Sequence, residues 1–141
     1  MTHGHRLFDN PPVEEHDPAS TVLEGVLHNA ALQAEAADVL VGLALQDENQ
    51  AFVEGWCIKL GRQLAPGSPL LGLVGLCVGH LARRFGYVSD EAASLVVDLA
   101  HRSKADPADV DARAQDGLDD VILFGGRNVR PDLSGANGET Q

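Results

Sequence analysis

From residue 20 to residue 124 apolar positions recur every three or four residues, the spacing that gathers side chains on one side of an α-helix. The pattern predicts five or six helices. A first starts at Ser20 or Thr21 and carries Val22, Leu23, Val26 and Leu27. Asn29 can cap a second, with Leu32, Ala36, Val39, Leu40 and Leu43 inward. Asp47 or Asn49 opens a third, with Phe52, Val53, Trp56, Cys57 and Leu60 inward, and Ala65, Pro66 and Gly67 close it. Ser68, with Pro69 at the first helical position, starts a fourth that Gly86 stops. Ser89 begins a fifth, with Asp90 and Glu91 in its first turn and Ala92, Leu95, Val96 and Leu99 inward. The sixth is read from Asp106 and Pro107 to Gly125, with Val110, Ala114, Gly117, Leu118 and Val121 inward. Short turns between such helices require antiparallel neighbours, so the fold class expected is all-α.

The stripes also repeat. Leu32, Ala36, Val39, Leu40 and Leu43 recur as Leu70, Val74, Cys77, Val78 and Leu81, then as Val110, Ala114, Gly117, Leu118 and Val121. The period is about 40 residues with two helices per unit, which is the spacing of a HEAT-type α-solenoid. The preceding helices keep step, since Phe52, Val53, Trp56 and Cys57 precede Ala92, Ala93, Val96 and Val97 by the same interval.

The segments VEGWCIKL (53–60), LCVGHLARRFG (76–86) and AQDGLDDVILF (114–124) resemble a group of small bacterial HEAT-repeat proteins. The likeness spans roughly 49–124; the Arg usual early in each second helix is replaced by Leu71 and Asp111. The resemblance implies a protein-binding solenoid of immunity or adaptor type, and it implies no catalytic residue.

Pro69 to Ala82 is free of charge and holds Gly72, Gly75 and Gly79 along one side of a helix. A bilayer span needs ~20 apolar residues, and this run ends sooner at Arg83 and Arg84. A phosphate-binding loop needs a strand before its glycines and, in the Walker form, a Lys before Ser or Thr; neither is present. What remains is a helix enclosed on nearly every side, the position of the middle unit's second helix. Each glycine costs such a helix about 1 kcal/mol relative to Ala, so close packing against neighbours is the expected compensation.

Composition supports this outline and narrows the partners. The chain has 141 residues, 44% of them hydrophobic, which suffices for one domain with a real core. Only 4% are aromatic, and the Ala, Leu, Val and Gly that dominate favour packed helices. The net charge of −11 repels nucleic-acid backbones and anionic lipid surfaces, so neither is an expected partner. The Pro-, His- and acid-rich residues 1–19 and the Gly-rich residues 125–141 are expected to be disordered, leaving a helical domain over 20–124. The first residues lack the apolar stretch of a signal peptide, from which a cytoplasmic location is expected.

Candidate chemistry is sparse. Cys57 and Cys77 read as small buried hydrophobes, and no cofactor is expected. His80, the one polar side chain in the uncharged run, reads as a core histidine donating to a backbone carbonyl. A small enzyme or ligand-binding domain built on His80 with Cys57 and Cys77 is the alternative, with Cys77 and His80 three residues apart as a nucleophile pair. Zinc-ligand spacing is lacking there, while His3 behind a free amine, with His5 and His16 nearby, offers adventitious metal binding at most. The best functional candidate is the last helix, where Asp109, Asp116, Asp119 and Asp120 stand with Arg113 as the single base. Asp109 is favoured near a helix start, but acids gathered toward a helix end cost stability and suit a basic partner protein instead.

Overall fold

The computed structural model describes residues 15–125, and within them the protein is all-α. Six α-helices follow one another: α1 (His16–Val26), α2 (Gln33–Gln46), α3 (Gln50–Gln63), α4 (Pro69–Phe85), α5 (Asp90–Ala105) and α6 (Arg113–Phe124). A single 3-10 turn, Ala30–Leu32, leads into α2. The expectations for residues 1–14 and 126–141 lie outside the described residues.

Local chemistry sets most of the boundaries. Asn29 accepts the Ala31 N–H, Asn49 that of Phe52, Ser68 that of Leu70 and Ser89 that of Ala92. Each side chain satisfies one N–H that has no partner inside its helix. Gly86 ends α4 in the left-handed region at φ 81° and donates to the Ala82 carbonyl, a conformation that a Cβ disfavours.

Two boundaries differ from expectation. α1 starts at His16, ahead of Ser20, with Pro18 in its first turn. The N–H that proline lacks would have had no intrahelical acceptor there, so Pro18 does not block the helix. α6 starts later than expected, at Arg113. Asp106 caps only one turn, taking the Ala108 N–H on its side chain and the Asp109 N–H on its carbonyl. The chain then breaks so that the Asp109 side chain reaches Arg102 of α5 while its carbonyl accepts the Gly67 N–H. Asp111 opens α6 by accepting the Arg113 N–H at 2.9 Å.

Helices two apart in sequence lie side by side and parallel. In one layer His16 of α1 stacks on Phe52 of α3, and Glu24 meets Lys59 farther along both helices. Gln50 and Glu54 of α3 reach Tyr87 and Ser89 at the start of α5, and Gly61 meets Leu95. In the other layer Cys77 and Arg84 of α4 face the carbonyls of Leu40 and Ala44 of α2. Gly72 of α4 meets Asp111, just ahead of α6, and Gly75 and Gly79 meet Ala114 and Gly117 within it. Partners across the second layer are about 40 residues apart, so the sequence repeat is a spatial repeat: three helical hairpins stacked in register.

α4 lies at the centre of this stack, against α2 and α6 in its own layer and α3 and α5 in the other. Its Leu71, Val74, Val78 and Leu81 are fully buried, each side chain worth roughly 1.5–3 kcal/mol removed from water. Enclosure explains the absence of charge from Pro69 to Ala82. It is not complete, because Leu76 and His80 are half-exposed along one narrow line. No helix among the described residues is long and apolar enough to cross a membrane.

The α4·α6 contact is made by backbone. A Cβ on Gly75 would stand 2.9 Å from the Ala114 Cα, and one on Gly79 would stand 3.0 Å from the Gly117 Cα. A Cβ on Gly117 would overlap the Gly75 carbonyl. Such proximity permits Cα–H···O contacts and broad dispersion contact, which offset the helix propensity lost at each glycine.

Candidate partner-binding face

The acidic residues singled out in the sequence separate into two kinds. Asp109 is bound internally, its carboxylate gripped by the Arg102 guanidinium through Nε at 2.9 Å and Nη2 at 2.8 Å. That hydrogen-bonded guanidinium, foremost among the influences on it, holds the Asp109 carboxyl below its usual range. The pair fastens the 106–112 turn to α5.

Arg113 is also turned inward. Its Nε and Nη2 grip Asp111 at 3.0 and 2.9 Å, and Nη2 also donates to the Pro69 carbonyl at 2.8 Å. The Asp111 carboxylate lies over Gly72, where any Cβ would displace it. Arg113 therefore locks the first turn of α6 onto the first turn of α4 and lowers the Asp111 carboxyl by its hydrogen bonds. Neither Asp109 nor Arg113 offers a free charge to a partner.

Asp116 and Asp119 differ from these, being exposed and without an ion pair among the described residues. Asp120 is half-buried, its Cβ against Gly79, and its charge acts on His80. In chain order Asp116, then Asp119 and Asp120, then Leu123 and Phe124 succeed one another at three- and four-residue steps. They form one stripe along α6. Leu123 is 72% exposed and Phe124 41%, high values for large apolar side chains.

The wall opposite comes from α4. His80 is half-buried beside Asp120, and Arg83, one turn on, places its guanidinium 5.5 Å from the centre of the Phe124 ring. No hydrogen bond from His80 to a backbone carbonyl exists among the described residues, contrary to the expectation for a core histidine. Burial lowers its pKa, with Asp120 opposing and Arg83 assisting.

Cys57 and Cys77 are free and fully buried between α3 and α4. Burial pushes both thiols up, that of Cys77 to about 12, which leaves little of the nucleophilic thiolate at neutral pH. Cys77 faces the Leu40 carbonyl of α2 at 4.0 Å, whereas His80 borders Asp120 of α6. The pair conceived from their spacing is not formed. Nor do the described residues contain a group of three or more His, Cys, Asp or Glu placed to hold a metal ion. His16, assigned to the loose N-terminus, instead stacks on Phe52 at 3.7 Å and meets Asp47 Oδ2 at 2.8 Å. His3 and His5 lie outside the described residues.

Sequence reasoning missed Arg83, Leu123 and Phe124. The repeat held the signal, because Arg83 precedes Phe124 by about the same 40 positions that separate Gly75 from Ala114. Comparison with protein-family models, curated proteins and solved structures finds no significant match to the chain.

Proposed function

We propose that the protein is a non-catalytic binding module, a short α-solenoid of HEAT type that presents the outer stripe of α6 to a basic partner protein. Immunity or adaptor proteins work in this manner, occupying a partner's surface without turning anything over. The observation that carries the reading is the division among the acids of the last hairpin. Asp109 and Asp111 are paired with arginines, while Asp116 and Asp119 stand exposed with no cation beside them among the described residues. Like charges at three- and four-residue spacing repel. A basic partner relieves that cost, and the net charge of −11 steers it inward over distance.

Affinity capture from the native host, with the wild-type chain beside an Asp116→Asn, Asp119→Asn, Asp120→Asn variant, tests the reading. A basic protein retained by the wild type and lost or strongly depleted on the variant, with the two melting alike, is the expected result. Equal retention at physiological salt rejects the assignment of these three residues.

A further inference from the structure

Building on that binding role, we infer that the partner engages α6 through an amphipathic helix, basic toward one end and apolar toward the other. Leu123 and Phe124 stay exposed although they continue the stripe of Asp116, Asp119 and Asp120. A stripe that is acidic for two turns and apolar for one is complementary to a ligand with the same two-part pattern in the opposite charge. A purely electrostatic contact would leave the apolar turn in water, and a purely apolar one would strand the carboxylates.

The form of the ligand follows from what the fold can accept. Strand addition requires an exposed sheet edge, and the described residues contain no strand. A proline-rich ligand needs a groove walled by several aromatic rings, and α6 has one. A phosphorylated peptide would meet uncompensated carboxylates rather than an arginine cluster. Helix docking remains, and the parallel ridges of α4 and α6 suit it, with Leu76, His80 and Arg83 opposite Asp116, Asp120 and Phe124. Arg83, held over the Phe124 ring, adds a positive charge at the apolar end, so the cations of the partner belong opposite Asp116 to Asp120.

Three synthetic 18-residue peptides test this on the full chain by fluorescence anisotropy. One is a Leu/Lys sequence of helical amphipathic spacing, one has the same composition scrambled, and one carries Glu for Lys. The amphipathic Leu/Lys peptide is expected to bind best, and a Leu123→Ser, Phe124→Ser variant to weaken it about ten-fold, a loss typical of an apolar anchor pair. Both sites are exposed, and thermal melting confirms that the variant is folded. Equal affinity for the scrambled peptide, or an unchanged affinity in the serine variant, overturns the inference. Sedimentation that reveals a dimer dispersed by Phe124→Ser overturns it in favour of a second copy. Loss of host-partner capture by the Asn variant but not by the serine variant removes this inference and leaves the binding role standing. Capture indifferent to the Asn variant rejects the acidic stripe as the docking surface, and this inference with it.

Discussion

α4 and α6 occupy equivalent positions in successive hairpins and meet along a common seam of small residues, yet their outer faces are opposites. α4 has neighbours in both layers and on both flanks, so of its seventeen residues only Leu76, His80 and a few near its ends reach water. Among the described residues α6 packs mainly on α4 and α5 and keeps Asp116, Asp119, Leu123 and Phe124 exposed. The lesson is that position in the stack, not membership of the repeat, decides which helix is free to take on a partner. A helix covered on four sides cannot hold charge, whereas the last one can keep acids whose only cost is mutual repulsion.

The contrast between the two helices depends most on the seam where they meet. Gly117→Leu forces a side chain into the Gly75 carbonyl, and overpacking of a rigid backbone contact costs about 3 kcal/mol or more. A fall in melting temperature of about 10 °C or more is expected by circular dichroism. Gly55 of α3 has nothing within 4 Å of its missing Cβ, so Gly55→Ala should raise stability by up to about 1 kcal/mol. Equal effects at both sites would mean that the seam is not in backbone contact.

Next in size is the ion pair that fastens the turn before α6. Asp109→Asn should lower the melting temperature at neutral pH. The Asp109 carboxyl is held below its ordinary value by Arg102, so its contribution is present above about pH 4 and fades as pH falls through the depressed value. The gap between wild type and variant, followed by melting from pH 7 to pH 2, should therefore close in acid. A gap that is constant with pH would show that the pairing is not what matters.

His80 gives a smaller effect of known sign. Its pKa is lowered by burial, so the unfolded chain binds a proton more readily. Stability falls as pH drops from about 6.5 through the lowered value. His80→Gln should flatten the melting temperature between pH 7 and pH 5, other groups being common to both proteins. An unaltered slope would place the His80 ring in water.

The smallest effect on stability belongs to the stripe proposed for binding. Asp119→Asn should change unfolding free energy by no more than about 0.5 kcal/mol, in the stabilising direction, because it removes a charge repelled by Asp116 and Asp120 beside it. Chemical denaturation measures this, and a large loss would reveal an internal role for that carboxylate. The contrast with Asp109 would then disappear.

The six helices were legible because their signals are local. Asn29, Asn49, Ser68 and Ser89 cap where the hydrophobic period begins, and α4 announces its enclosure by lacking charge. The residues that touch across the seam, such as Gly75 and Ala114, stand about 40 positions apart like the stripes of the repeat, but the repeat by itself named no contact between α4 and α6. Sequence misplaced the starts of α1 and α6, since a proline in a first turn is harmless and a capped turn need not continue. It grouped Asp109 and Arg113 with Asp116 and Asp119, because composition counts charges without their partners. Arg102 and the Pro69 carbonyl, brought in by the stacking of hairpins, separate the two kinds. Periodicity and capping act within a few residues and are written in the chain; pairing and exposure depend on atoms that arrive from about 40 residues away, and only the assembled stack assigns them.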